Sequence, residues 1–209
     1  MSLLHSQPKI RSIRISDSWK WTAFTGGAFG AAQNAANYII KVGGRTSNVV
    51  SVYCKNVKSS LGNPKWYARV DIPHGNVQYS HINVNKAITG VKDPHIPISE
   101  FSAKASGLAG QALELINKAA PAIQVAVVVM DVGEVVKDYY YGNTDEAARK
   151  IITKTSTYTG ASYGASVGSA CGSLIFPGIG TLIGGMIGGA VGGLGGGYGG
   201  ENIADQLGI

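Results

Sequence analysis

Bulky and small residues alternate with a helical period near the C-terminus of the chain. At 100° per residue, the bulky side chains of the last segment fall within a sector of about 80°. These residues are Ile183, Ile187, Val191, Leu194 and Tyr198. Glycine fills the remaining sector, with eleven glycines between Gly184 and Gly200. Because a disordered glycine-rich linker does not sort its large residues onto one side, the pattern predicts a helix.

Glycine itself recurs at every fourth position in two neighbouring segments. The first set is Gly160, Gly164, Gly168 and Gly172, and the second is Gly180, Gly184, Gly188, Gly192, Gly196 and Gly200. A period of four returns to nearly the same face of a helix. Pro177 and Gly178 lie between the two sets and are typical of a turn. The sequence therefore predicts an antiparallel helical hairpin over residues 155–200.

So much glycine makes a helix that is unstable when it is isolated. Each glycine costs about 0.8–1 kcal/mol relative to alanine, so eleven cost roughly 10 kcal/mol, which rivals the stability of a whole domain. The hairpin carries no charged residue from Thr155 to Gly200. Each arm is about 30 Å long, which matches the hydrocarbon core of a bilayer. Two alternatives follow: a soluble hairpin packed on its own domain, or a hairpin associated with a membrane.

Helical periodicity extends upstream to Ser99. Apolar residues recur at steps of three and four at Phe101, Ala105, Leu108, Ala112, Leu115 and Ala119. We expect Pro121 to stop or kink this helix. The next segment, Ala122 to Val136, carries the apolar run Val125 to Met130, which is too short to span a bilayer and is expected to form a buried core helix. Asn143 is predicted to cap the third helix, with Glu146 in the capping-box position.

The N-terminal half has a different pattern, with short β-rich runs between turn residues. The predicted elements are a strand at Lys9–Ile15, an alanine-rich helix at Gly26–Lys41, and strands at Asn48–Lys55, Trp66–Ile72 and Val77–Val84. The small residues of the predicted helix resemble those of the later glycine arms. The predicted fold is α+β, with a small antiparallel sheet in a head domain, residues 1–98, followed by an all-helical tail, residues 99–209, that ends in the hairpin.

Charge is distributed unevenly between these halves. Residues 1–100 carry twelve lysines and arginines against four acidic residues, which gives +8, and the remainder carries −2. A basic head is typical of a partner such as nucleic acid or an anionic surface. An ordinary basic soluble domain is an equally valid interpretation.

The densest polar stretch is Arg69 to His95, which lies in this basic head. We select His74, His81 and Lys86 as candidate catalytic residues. Two imidazoles can exchange protons with the 2′-hydroxyl and the leaving oxygen of RNA, and an ammonium group can stabilise the charge on phosphorus. If the head is an enzyme, this set predicts a ribonuclease-like activity that needs no metal or other cofactor.

Other interpretations of the same stretch stay open. His74, His81 and His95, together with Asp71 or Asp93, could instead hold Zn²⁺. Their neighbours are also typical of plain turns and strands. The sequence contains no Walker loop, nucleophile elbow, HExxH or CxxC motif.

The two glycine sets and the Pro177-Gly178 turn resemble the glycine-zipper hairpins of bacterial toxins and secreted effectors, and of related proteins in some eukaryotes. The resemblance implies membrane insertion, passage or oligomerisation. We expect the contact surface for membrane or other protomers to include the zipper glycines, namely Gly160, Gly164, Gly168, Gly172, Gly184, Gly188, Gly192, Gly196 and Gly200.

These observations favour a toxin-like or effector-like protein. Its hairpin would associate with or insert into membrane lipid and oligomerise, and its head would bind or cleave RNA. The alternative is a non-enzymatic, self-assembling structural protein whose hairpin joins protomers. No long apolar stretch occurs in Met1–Trp21, so no signal peptide is predicted. We therefore expect a membrane-associated protein, or one secreted by another route, and otherwise a cytoplasmic one.

Overall fold

A five-stranded sheet followed by long helices confirms the predicted α+β fold. The computed structural model describes residues 15–209. Its elements are α1 (Ile15–Asn37), β1 (Tyr38–Val42), β2 (Asn48–Lys58), β3 (Pro64–Asp71), β4 (His81–Val84), α2 (Lys86–Thr89), β5 (Ile96–Pro97), α3 (Glu100–Tyr140), α4 (Thr144–Ile175) and α5 (Ile179–Leu207). The strand predicted at Lys9–Ile15 lies outside the described residues, except for Ile15, which begins α1. The proposed boundary near residue 98 stays a prediction.

The sheet is an antiparallel meander in the order β1-β2-β3-β4-β5. Its buried face is built from aligned aliphatic side chains, because Val52 pairs with both Ile40 and Ala68, and Val70 pairs with Ile82. The hydrophobic core lies between this face and the helices. Helices contribute Ala103 and Leu113 from α3 and Ile179 and Leu182 from α5.

Three corrections apply to the predicted head. The predicted helix at Gly26–Lys41 is longer at its start and ends at Asn37, where the chain becomes strand β1. β-Branched and aromatic residues in Tyr38–Val42 favour a strand, and pairing with β2 provides the hydrogen-bonding partner. The strand predicted at Val77–Val84 begins at His81 instead, because residues 74–77 close a turn through hydrogen bonds between His74 and Val77.

Pro121 does not end the helix in which it lies. Helix α3 runs without interruption for 41 residues. The segment before the proline is fixed by Ala120, which is buried with residues of α1, and by Asn117, whose side chain donates a hydrogen bond to the Tyr38 carbonyl. Beyond the proline, Asp131 forms an ion pair with Lys154 of α4. These contacts on both sides outweigh the cost of a proline inside a helix.

The apolar run in the second half of α3 is exposed, so the predicted buried core helix is wrong. Val127 is buried, but Val125 and Val129 are each 64% exposed and Met130 is 55% exposed. Helix α4 contacts this half of α3 through charged and polar groups, with Lys150 and Lys154 paired to Asp138 and Asp131, and α1 residues line a pocket beside Asp131. Asn143 does occupy the N-cap position of α4, but its side chain makes no capping hydrogen bond.

Helices α4 and α5 form the predicted antiparallel hairpin, and glycine is what allows their close approach. A Cβ atom added at Gly164, Gly168, Gly184 or Gly188 would lie less than 3 Å from a backbone carbonyl oxygen of the facing helix. Real Cβ atoms essentially never come that close. The two backbones are therefore in direct contact along the hairpin.

A second glycine contact joins α5 to α1. A Cβ atom at Gly26 or Gly30 of α1 would collide with the backbone of Gly189 or Gly185, respectively. Helix α5 thus lies between α1 and α4, with glycine on both of its sides. The second contact explains why α5 carries glycine pairs rather than a single glycine in each turn.

The turn of the hairpin is packed on the sheet. Gly178 has φ +88° and lies against the side chains of Ala68 and Val52. The first turn of α5 follows directly and buries Ile179 and Leu182 in the core of the sheet. The hairpin is therefore anchored to the head at its closed end.

We predict that Gly188→Ala lowers the free energy of unfolding by about 1–3 kcal/mol, because the new methyl group would overpack the contact with α4. The matched control is Gly195→Ala in the same helix, where a Cβ meets nothing within 4 Å. The control should be stabilising by about 0.5–1 kcal/mol, since alanine favours the helix. Urea unfolding followed by circular dichroism measures both. Equal effects of the two substitutions would contradict the close contact.

A second pair tests the contact between α1 and α5. Gly26→Ala should be destabilising by about 1–3 kcal/mol through overpacking. Its neighbour Gly27 has space for an ordinary contact at 3.8 Å from Ala190, so Gly27→Ala should be neutral or stabilising. Thermal unfolding should separate the two variants by several degrees. An unchanged melting temperature in Gly26→Ala would show that α1 does not pack on α5 in this way.

Candidate functional site

The outward face of the hairpin is a long apolar groove of about 790 Å³. Its floor is glycine. Its walls are Tyr163, Val167 and Ile175 from α4 and Ile183, Ile187 and Val191 from α5. None of the described residues that line it is charged. The groove therefore offers an extended apolar surface to solvent or to a partner.

The predicted contact glycines lie at or near this groove. Those that line it are Gly160, Gly164, Gly168, Gly172, Gly184, Gly188, Gly192 and Gly196. Gly200 lies beyond its end, where an added Cβ would meet Thr153 and Ser156. Glycine packs one arm on the other here, and a role for these residues in membrane or protomer contact stays a prediction.

Charged side chains gather at the open end of the hairpin and pair with one another. Arg149 donates hydrogen bonds to Glu201 at 2.7 Å and to Asp205 at 2.5 Å, which ties the start of α4 to the end of α5. Lys150 donates to Asp138 of α3 at 2.5 Å, and this hydrogen bond raises the pKa of the Lys150 ammonium group. The hairpin is thus closed by ion pairs at one end and by the sheet at the other.

Helices α3 and α5 are both long and apolar enough to cross a bilayer, by length and composition alone. In both, most of the apolar window is not buried within the protein. The exposed residues of α3 thus add a second apolar surface to that of the groove.

In the head, three of the polar residues singled out from the sequence come together on the β3–β4 hairpin. Asp71 ends β3 and is the direct pairing partner of His81, which begins β4. His74 lies in the connecting turn, and its ring stacks on that of His81 with 5.1 Å between centroids. One ligand atom from each of these three residues lies within 4.8 Å of the other two. The register of the hairpin thus creates the cluster.

Hydrogen bonds fix which ring nitrogen acts as the donor in both imidazoles of the cluster. His74 Nδ1 lies 2.9 Å from the Ile72 carbonyl, and His81 Nδ1 lies 2.8 Å from the Tyr79 carbonyl. Since a carbonyl oxygen can only accept, each Nδ1 carries the proton. In the neutral form of each ring, Nε2 is then the nitrogen that carries the lone pair.

The three residues of the cluster differ in their exposure to solvent. Asp71 and His81 are completely buried, whereas His74 is exposed. Lys86 begins α2 after the end of β4 and is also exposed. Asp93 instead accepts backbone hydrogen bonds from Val84 and His95. The structure thus brings His74 and His81 together, and the catalytic role predicted for them and Lys86 stays a prediction.

Two family models match parts of the chain. One describes a C13G5.2-like N-terminal domain and matches residues 21–116, from α1 through the sheet into α3. The other describes a C13G5.2-like glycine zipper domain and matches residues 141–199, which contain most of the hairpin. The glycine zipper predicted from the sequence is thus confirmed, and the bacterial toxin or effector type stays a prediction.

A curated relative is an uncharacterized protein, C13G5.2, from Caenorhabditis elegans. It is 45% identical over 140 residues, which cover 65% of this chain and 40% of the relative. The alignment therefore spans well under half of the relative's own length. No solved structure matches the chain. The matches describe a glycine zipper domain preceded by an N-terminal domain of the C13G5.2-like kind.

Proposed function

We propose that this protein binds the surface of anionic membranes through the outward groove of its glycine-zipper hairpin. One observation carries the proposal: the groove is apolar along its length and lacks charged lining residues in the described chain. Large exposed apolar patches mark sites of protein or membrane contact. Exposed Ile187 and Val191 supply aliphatic side chains that lipid can cover.

Electrostatics favours lipid over a second copy of the chain. The chain carries a formal net charge of +6. This positive charge comes from the head, at +8, whereas residues 101–209 carry −2. The heads of two copies would repel each other, whereas the negative surface potential of an anionic leaflet attracts a basic head. Tyr163 and Tyr198 are exposed toward the open end of the hairpin. Tyrosine suits a membrane interface because its ring is apolar and its hydroxyl is polar.

Insertion of the hairpin, as in the toxin-like and effector-like proteins that it resembles, requires a further step. Ile179 and Leu182 are buried against the sheet and must leave it before the turn can enter a bilayer. We therefore propose surface binding as the first event, with insertion or pore formation after release of the turn. The burial of these residues opposes spontaneous insertion.

The test replaces two groove residues by aspartate, in the double variant Ile187→Asp/Val191→Asp. Both side chains are more than half exposed, so the fold should persist. We expect at least about a tenfold loss of co-flotation with phosphatidylserine-containing vesicles, because two aliphatic contacts are replaced by charges. Leu61→Asp is the control, since it makes the same kind of change at a residue 84% exposed in the loop between β2 and β3.

Size-exclusion chromatography with and without detergent separates the membrane proposal from the self-assembly alternative. The proposal would be overturned if the protein formed large assemblies that persist in detergent and did not float with vesicles. That result would favour a structural role. Equal flotation of the groove variant and the Leu61→Asp control would overturn it as well.

A second candidate function is the binding or cleavage of RNA by the basic head. The observation that favours it is the contact between the rings of His74 and His81. If these residues and Lys86 cleave RNA, His74→Ala should lower the rate by at least about 10²-fold, as expected for loss of a proton-transfer group. Lys86→Ala should lower it by about the same factor, because the charge on phosphorus loses its stabilising ammonium group. Lys92→Ala, at another exposed lysine, is the control. The assay measures cleavage of a labelled RNA. If His74→Ala and Lys86→Ala still cleave it at the wild-type rate, these two residues have no part in the mechanism.

A further inference from the structure

We propose that Asp71, His74 and His81 bind a single divalent transition-metal ion, and that Zn²⁺ is the ion that this donor set fits best. The descriptions of the matching families and of the C. elegans relative mention no metal for the β3–β4 hairpin, which carries these three residues. The inference is independent of membrane binding by the α4–α5 groove.

The first argument is the presence of two buried polar atoms with no partner. His81 Nε2 and Asp71 Oδ1 make no hydrogen bond to any described residue, although both residues are completely buried. A buried acceptor without a partner loses its hydrogen bonds to water and gains none in the protein, which is destabilising, and more so when the group is charged. A cation between the two atoms would satisfy both.

The second argument is the orientation of the imidazoles. Metal-binding histidines almost always donate the second ring N–H to a carbonyl or carboxylate, which fixes the tautomer. Both rings do so here, through His74 to Ile72 and through His81 to Tyr79. The nitrogen left for a metal on each ring is Nε2, which binds in the neutral form of the imidazole.

The third argument is that neighbouring side chains hold the Asp71 carboxylate in place. Asp71 Oδ2 accepts a hydrogen bond from Asn83 at 2.6 Å and lies 3.2 Å from the Arg69 guanidinium. Asn83 in turn accepts a hydrogen bond from His95 Nδ1 at 2.8 Å. These contacts hold one carboxylate oxygen and leave Oδ1 free, as expected of a metal-binding carboxylate with outer-shell partners.

A direct ion pair does not explain the arrangement. If His81 were a charged imidazolium that neutralises Asp71, its Nε2 would donate to Oδ1. The structure has no hydrogen bond between these atoms. Their ligand atoms lie within 4.8 Å, whereas two ligands on one tetrahedral Zn²⁺ are separated by about 3.4 Å for bonds of about 2.1 Å. Binding therefore requires the ligand atoms to come closer, and His74 can approach the other two because it lies in an exposed turn.

The protein would supply three ligands to the Zn²⁺ ion and leave one coordination position open. Three protein ligands with two imidazoles and one carboxylate correspond to catalytic rather than structural zinc sites, in which water or substrate takes the fourth position. His95 approaches His81 edge-on, at 5.2 Å between ring centroids, but its Nδ1 is engaged by Asn83. Any hydrolytic activity of the head would then depend on metal, in contrast to the metal-independent chemistry expected from the sequence.

The test is titration of the full chain, stripped with EDTA, with Zn²⁺ in competition with a chromophoric chelator. We expect one Zn²⁺ per chain, and with Co²⁺ the visible absorption of a tetrahedral site. His74→Ala should weaken binding by at least about tenfold, because it removes a ligand. Its stability without metal should match that of the wild type, since His74 is exposed. Asn76→Ala, at another exposed position in the same turn, should bind as the wild type does.

A second readout is thermal unfolding with added metal. Zn²⁺ should raise the melting temperature of the wild type and of Asn76→Ala, but not of His74→Ala, because binding to the folded state is stabilising. Mg²⁺ should have no effect, since it prefers oxygen ligands. Failure of the wild type to bind Zn²⁺, binding that is unchanged in His74→Ala, or binding of Mg²⁺ at equal strength would each overturn the proposal.

Discussion

Direct contact between helix backbones along α5 is the constraint on which the rest of the structure depends. Glycine on one side of this helix meets α4, and glycine on another side meets α1. An isolated helix with so much glycine would be unstable by roughly 10 kcal/mol relative to its alanine equivalent. The two contacts offset this cost through van der Waals packing that no larger residue would allow. Glycine is therefore a packing residue here and not a source of flexibility.

The same helix connects the hairpin to the sheet. Its first turn enters the core through Ile179 and Leu182, and the preceding Gly178 lies on β2 and β3. Strand β3 continues to Asp71, at the edge of the histidine cluster. The groove and the cluster are thus built on one continuous framework. Release of the hairpin turn would uncover the buried face of the sheet, so membrane insertion would have consequences for the head as well.

The distribution of polarity gives the two surfaces different chemistry. On the hairpin, glycine is used for contact between helices, the bulky aliphatic side chains point outward, and the charges pair at the open end. In the head, a buried carboxylate and a buried imidazole face each other without a hydrogen bond. The first arrangement favours contact with an apolar partner, and the second favours a cation. Neither surface needs the other for its chemistry, which is why we treat them as separate functions.

The sequence alone determined the features that are local and periodic. A four-residue glycine period with bulky residues on one side specifies a helix, and Pro177-Gly178 specifies the turn, because both follow from backbone geometry. Tertiary structure decided which surfaces are covered. Pro121 lies within a continuous helix because contacts on both sides hold it, and Val125 to Met130 is largely exposed because the contacts of this half of α3 with α4 are formed by charged and polar groups on another side of the helix. The burial of Asp71 and His81 likewise depends on strand pairing between residues ten positions apart, which no local pattern encodes.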